Sequence, residues 1–177
     1  MLLALIAAAV IGQVQTTPAK FLDETVVYLE KVPGTFPAKT VSMDQKGITF
    51  VPHVLAITVG DTVKFLNHDG IDHNVYSPDN EGYNLGMVHA GAAGDHTFDK
   101  PGIYSQLCSV HPEMLAYIFV GENPYQAVVG KDGKYKIDKV PPGTYQVAIW
   151  NAHLKGPAQS VTVAEGKSAQ VKFSLHR

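Results

Sequence analysis

The sequence predicts an all-β protein, on three observations. Val, Thr, Tyr and Phe gather in short runs with no helical period, and residues of these types fit a pleated, half-buried surface. Sixteen Gly and 11 Pro divide the 177 residues into pieces of strand length, as tight turns require. Several runs also alternate apolar with polar side chains. Tyr145, Val147 and Ile149 are interleaved with Thr144, Gln146 and Ala148, and Val171, Phe173 and Leu175 repeat the pattern near the end. With 45% apolar residues the chain can build a core, in one domain of ordinary size or in two small ones.

Taken in order, the run from Met1 to Val10 is apolar but too short to cross a bilayer as a helix. It reads as the h-region of a secretory signal over residues 1–11, with Ala7, Ala8 and Ala9 offering small residues for cleavage. No Lys or Arg precedes Lys20, however, and the other reading is a buried first strand. Residues 12–39 hold two strand-like pieces, Gly12-Gln-Val-Gln and Glu24 to Glu30, closed by Pro33-Gly34.

Residues 40–121 carry short, closely spaced strands, as in a Greek-key sandwich. They are Gly47 to Val51, Val54 to Val59, Thr62 to Asn67, His73 to Tyr76, Asn84 to Gly86 and His96 to Phe98. Gly60-Asp61 and Ser77-Pro-Asp-Asn80 supply turn chemistry between them. Asp99 to Gly102 turns the chain into a strand that ends at Cys108, and Leu115 to Val120 leads back out. Residues 122–177 form a second strand-rich unit from Tyr125 to Ile137 and from Val140 to Trp150. So short a segment is small for an independent core, which favours recruitment of the N-terminal strands; two domains in tandem is the plainer alternative.

Net charge is −2, which argues against a general nucleic-acid binder. Its distribution is uneven. Residues 40–121 hold three lysines against nine acids, a net of −6, and residues 122–177 hold eight basic residues against four acids, a net of +4. An acidic module beside a basic one biases the docking of a charged partner.

One stretch carries chemistry: Gly102-Ile-Tyr-Ser-Gln-Leu-Cys108-Ser-Val-His111-Pro-Glu-Met114. A thiolate, an imidazole and a thioether at this spacing meet on one ion only if the backbone turns sharply after the Cys, and Pro112 favours that turn. Cys and Met suit Cu(I), imidazole suits both copper states, and a His2Cys plane with a weak axial Met is the blue-copper arrangement of electron transfer. Cys108 is the sole cysteine, so no intramolecular disulfide exists. A lone Cys is ordinarily an inert buried residue, but the following His and Met reverse that reading. The second imidazole is expected from His73, with His68 its rival in the same loop. His53, His89, His96, His153 and His176 read as ordinary packing or surface residues, and Met43 and Met87 as packing.

His73-Asn74-Val75, Gly102-x-Tyr104-x-x-x-Cys108 and Cys108-x2-His111-x2-Met114 resemble the cupredoxins, the plastocyanin and amicyanin family, over roughly residues 40–121. The loop spacing is closest to that of amicyanin. The resemblance implies one type 1 copper held by His73, Cys108, His111 and Met114, with Asn74 bonded across to the Cys loop. It also implies that the His111 ring edge is the exit for the electron, with Pro52, Pro112 and Met114 as an apolar rim. Glu113 departs from the apolar residue expected there; a charge at the copper edge favours the oxidised ion. Downstream, Lys131-Asp-Gly-Lys-Tyr-Lys-Ile and Val140-Pro-Pro-Gly-Thr-Tyr resemble the carboxypeptidase regulatory-like, transthyretin-like β-sandwich, whose opening strands would here be Gly12-Gln-Val14 and Val26 to Leu29. The fold expected is a Greek-key cupredoxin sandwich plus a second small transthyretin-like sandwich.

The function expected is electron shuttling through Cu(I)/Cu(II), without enzymatic turnover, with a redox protein such as a c-type cytochrome or a dehydrogenase as partner. No transmembrane span is expected in the mature protein, and the location implied by the family is periplasmic or otherwise exported. The alternative is a periplasmic copper carrier that hands over the ion itself. An oxidase or nitrite reductase needs further His-rich copper centres, and no His-x-His or His-Cys-His occurs.

Overall fold

The computed structural model describes residues 8–177. The chain opens with β1 (Ala8–Thr16), a short 3-10 turn (Ala19–Glu24) and β2 (Thr25–Leu29). There follow β3 (Thr40–Gln45), β4 (Phe50–Val51), β5 (Val54–Thr58), β6 (Thr62–Asn67), β7 (His73–Ser77) and β8 (Tyr83–Val88). Next come β9 (Ala93–Thr97), β10 (Gly102–Leu107), β11 (Leu115–Gly121) and β12 (Gln126–Val128). The last four are β13 (Lys134–Val140), β14 (Gly143–Asn151), β15 (Gln159–Val163) and β16 (Ala169–Leu175). Two compact units result, one formed by residues 35–122 and the other by the chain before and after them.

In the outer unit the sheets run β13-β1-β16 and β12-β2-β14-β15. Val10, Val14, Val27, Leu29, Ile137, Val147, Phe173 and Leu175 fill the space between them. β1 is parallel to β16 and antiparallel to β13, so the first described strand is central to its sheet. Its buried start, Ala8 to Val10, is the second part of the apolar run read as a secretory h-region; residues 1–7 of that run lie outside the described residues. Gly12 has a specific reason to be glycine. The Tyr135 side chain crosses above it from β13 and its hydroxyl donates to the Val171 carbonyl on β16 at 2.7 Å. A Cβ on Gly12 would sit 1.7 Å from that oxygen.

In the unit of residues 35–122 the sheets run β5-β11-β10-β7-β8 and β4-β3-β6-β9. Met43, Phe50, Ile57, Phe65, Phe98, Tyr104 and Ile118 are buried between them. The entering and leaving chain meet at the turn after β5. Asp61 accepts from the Lys39 amide at 2.7 Å and the Thr58 amide at 2.9 Å, and Val59 donates to the Gly121 carbonyl at 3.0 Å. In the outer unit the strands on either side of this segment, β2 and β12, pair with each other.

The strand expected over Gly47 to Val51 is mostly a turn. Gly47 and Ile48 have φ of 69° and 56°, and Lys46 donates to the Thr49 carbonyl at 3.0 Å. Two successive residues at positive φ make the tight hairpin turn that matches strand twist, so only Phe50–Val51 remains to pair with β3. β3 itself gave no apolar run to read, because Ser42 and Asp44 alternate with its inward residues and the last of those, Gln45, is polar though buried.

Candidate metal centre

β10 and β11 are antiparallel neighbours, with Leu107 opposite Leu115. Cys108 and Met114 therefore stand at the two ends of one loop. Met114 donates to the His111 carbonyl at 3.0 Å, closing a turn with Pro112 at its second position, where a fixed φ favours it. On the other side of β10, β7 pairs with it, Leu107 opposite Tyr76. This pairing brings the start of β7, and so His73, to the loop.

The Nδ1 atoms of His73 and His111 lie 3.0 Å apart, and Cys108 Sγ lies 3.7 Å from His111 Nδ1. All three donor atoms fall within 4.8 Å of one another. Bonds of about 2.0 Å to nitrogen and 2.3 Å to sulfur, the lengths found at zinc, let one ion bridge both measured pairs. The donor set is a borderline-soft one, thiolate and two imidazoles, which suits copper. His73 and Met114 are fully buried and Cys108 nearly so, whereas His111 is half-buried beside exposed Val110, Pro112 and Glu113. Met114 packs in the same core cluster as Cys108.

Asn74 ties the ligand segments together. Its amide N–H donates to Cys108 Sγ at 3.3 Å, and its side-chain oxygen accepts from the Ser109 amide at 3.3 Å. Its Nδ2 donates to Asn84 Oδ1 and the Gly86 carbonyl, both at 2.9 Å. An N–H directed at a thiolate stabilises its charge and tunes a bound metal.

Five of the other six imidazoles have partners of their own. His68 stands exposed with Nδ1 2.8 Å from Asp44, so the rival to His73 is engaged elsewhere. His89 pairs with Asp72, His153 with Glu24, and His53 packs edge-on to Tyr117. His96 stacks on Tyr83 at 3.7 Å, and burial lowers its pKa. Met43 is core, but Met87 is exposed, opposite Asn74 in the sheet, and does no packing of the expected kind.

One residue escaped the sequence reading. Asp69 Oδ2 lies 2.8 Å from His73 Nε2, while the Gly47 amide donates to Oδ1 at 2.6 Å and the Ile48 amide to Oδ2 at 2.9 Å. The Ile48 amide above all, then the Gly47 amide and His73, hold the Asp69 carboxyl below its ordinary pKa against the opposing effect of burial. The available signal was an Asp four residues before a ligand His; its amide donors came from the turn misread as strand.

Residues 37–121 match the family model of copper binding proteins, plastocyanin/azurin family. They are a cupredoxin domain, and its cofactor is copper. Residues 121–171 match the model of polysaccharide lyase family 4, domain II, a second small β domain for which β1 and β2 complete the sheets. The protein thus carries a copper-binding domain. Similar solved structures include a Cu(I) amicyanin variant at 25% identity, covering 46% of this chain and 81% of that one at a TM-score of 0.43. A reduced amicyanin variant matches at 26% identity, with the same coverage and a TM-score of 0.44. A Cu-containing nitrite reductase from Thermus scotoductus SA-01 matches at 32% identity over 52% of this chain and 24% of that one, with a TM-score of 0.45. No curated protein matches.

Proposed function

We propose that this protein is a type 1 copper electron carrier whose ion would be held by His73, Cys108, His111 and Met114. The observation that carries this reading is the convergence of two Nδ1 atoms and one Sγ, within 4.8 Å, at the edge of a rigid sandwich. Copper bound there would supply one-electron exchange between Cu(I) and Cu(II).

The chain's own residues keep the geometry fixed. Asn74 bonds to both sides of the Cys loop, and Cys108 and His73 sit on or beside paired strands. Burial of Cys108, His73 and Met114 excludes water from the donors, and the half-buried His111 is the electron's route to the surface. A redox protein such as a c-type cytochrome or a dehydrogenase docks over Val110 and Pro112. The −6 balance of residues 40–121 favours a partner with a positive rim. No enzymatic turnover is assigned, and export to the periplasm is the setting proposed.

The test is the visible spectrum of the Cu(II)-loaded protein. An intense blue or green band that bleaches on reduction and is lost in Cys108→Ser is expected. A colourless Cu(II) form, or a band that survives Cys108→Ser, overturns the assignment. A folded His111 variant that retains copper is expected to exchange electrons more slowly with a partner.

A further inference from the structure

The imidazole of His73 is held from both of its nitrogens. Nδ1 faces the donor cluster, and Nε2 lies 2.8 Å from the Asp69 carboxylate. That carboxylate is itself fixed by the successive amides of Gly47 and Ile48, in a turn where both residues have positive φ. A β-branched residue in this backbone region is rare and strained, and strain of this kind persists where the surroundings over-determine it. The Asp69 backbone is also anchored, because its N–H donates to Asn67 Oδ1 at 3.0 Å, while Asn67 Nδ2 holds the Ile71 and Val88 carbonyls. Carboxylate, ring and turn therefore form one chain of bonds that ends at the metal centre.

We propose that Asp69 is a positioning residue for this centre: its carboxylate, gripped by the Gly47 and Ile48 amides, fixes His73 as the Nε2–H tautomer and sets the balance between Cu(II) and Cu(I). An ionised carboxylate only accepts, so the shared proton resides on Nε2 and the Nδ1 lone pair is left to bind metal. A carboxylate bonded to the far nitrogen also makes the imidazole a more basic ligand. The added electron density stabilises the doubly charged ion more than the singly charged one. Asp69 thus holds the reduction potential down.

This inference rests on the copper reading above, and two measurements keep their failures apart. In a copper-free sample of the unaltered protein, nitrogen-15 spectra of the histidine rings are expected to show His73 protonated at Nε2. Protonation at Nδ1 overturns the proposal whatever the protein does with copper. In copper-loaded samples, Asp69→Asn retains an oxygen acceptor but loses the charge. It is expected to weaken Cu(II) binding about 10- to 100-fold, the range found for partners of metal-bound His, with a smaller loss for Cu(I). Each tenfold difference between the two ions raises the potential by about 59 mV.

Asp72→Asn is the control. Asp72 bears the same charge in the same loop but bonds His89 and the Ala90 amide instead of His73. Its removal is expected to shift the potential by well under one tenfold step. Equal shifts in the two variants, or an Asp69→Asn protein with wild-type potential and Cu(II) affinity, overturn the proposal. A colourless wild-type Cu(II) protein instead ends the copper reading and leaves the tautomer measurement standing.

Discussion

Each unit of this chain packs two sheets over an apolar interior, and each joins parallel to antiparallel pairs, β1 with β16 in the outer unit and β3 with β6 and β5 with β11 in the cupredoxin. Their interiors differ in where the buried polar groups lead. The outer unit has an aliphatic and aromatic core in which Tyr135 donates to a carbonyl, and its buried Thr25, Asn123 and Asn151 bond to one another or to the backbone of its own strands. The cupredoxin buries Gln45, Asn67, His73, Asn74 and Gln106 together with Cys108. Burying polar groups is costly unless they find partners, and each of these side chains makes at least one hydrogen bond. The difference teaches that the outer sandwich is limited by packing, whereas the copper sandwich is limited as well by polar bonds, of which those of Asn67, His73 and Asn74 lead to its metal end.

The two limits can be separated because Trp150, the sole tryptophan, lies in the outer unit, and the copper band reports the other. The largest effect is expected for Gly12→Ala. With a backbone oxygen 1.7 Å from the new Cβ, β1 and β16 must part, a loss of about 4 kcal/mol or more. Denaturant unfolding followed by Trp150 fluorescence should show it, and the copper band should remain. An unchanged Trp150 midpoint would break the packing account. Copper itself comes next. Free metal at a hundred times its dissociation constant should stabilise the cupredoxin by about 2.7 kcal/mol, read as an upward shift in the melting of the visible band, with no shift in the Trp150 transition.

A smaller loss, about 1–2 kcal/mol, is expected for Asn74→Ala, which strips the partners from the Ser109 amide and the Gly86 carbonyl. Circular dichroism of the copper-free protein measures it. The smallest effect concerns base. Burial first, then the nearby Glu81, pushes the Tyr104 hydroxyl up to about 12, above an ordinary value of about 10. Its neutral form is therefore favoured by folding. That contribution is complete below about pH 10 and is lost as pH rises towards about 12. Phenolate absorbance should show Tyr104 ionising late, and a Tyr104→Phe protein should lose less stability over the same interval.

The legibility of the two regions differed for physical reasons. Cys108, His111 and Met114 lie within one short loop, so their spacing in the chain is nearly their spacing in space. His73 came from a distant strand, and only its Asn-Val context marked it among eight histidines. Asp69 was opaque because its role is conferred by two amides from a turn more than twenty residues away. That turn was misread because Ile48 and Phe50 look like strand residues until the positive φ of Gly47 and Ile48 is seen. In the outer unit, alternation marked β14 and β16, but it carried no hint that β16 would lie parallel to β1 at the far end of the chain. A pattern of period two identifies a strand's faces and leaves its neighbours open.

The Asp61 carboxylate, by holding the Lys39 amide while Val59 in the same turn holds the Gly121 carbonyl, brings the cupredoxin's two ends to one place, and Leu29 already donates to the Tyr125 carbonyl at 2.9 Å in the outer sandwich. The outer sandwich therefore works as a socket. A short bridge from Glu30 to Tyr125 would seal it, and any other module with adjacent termini could be plugged in between without rewiring either sheet.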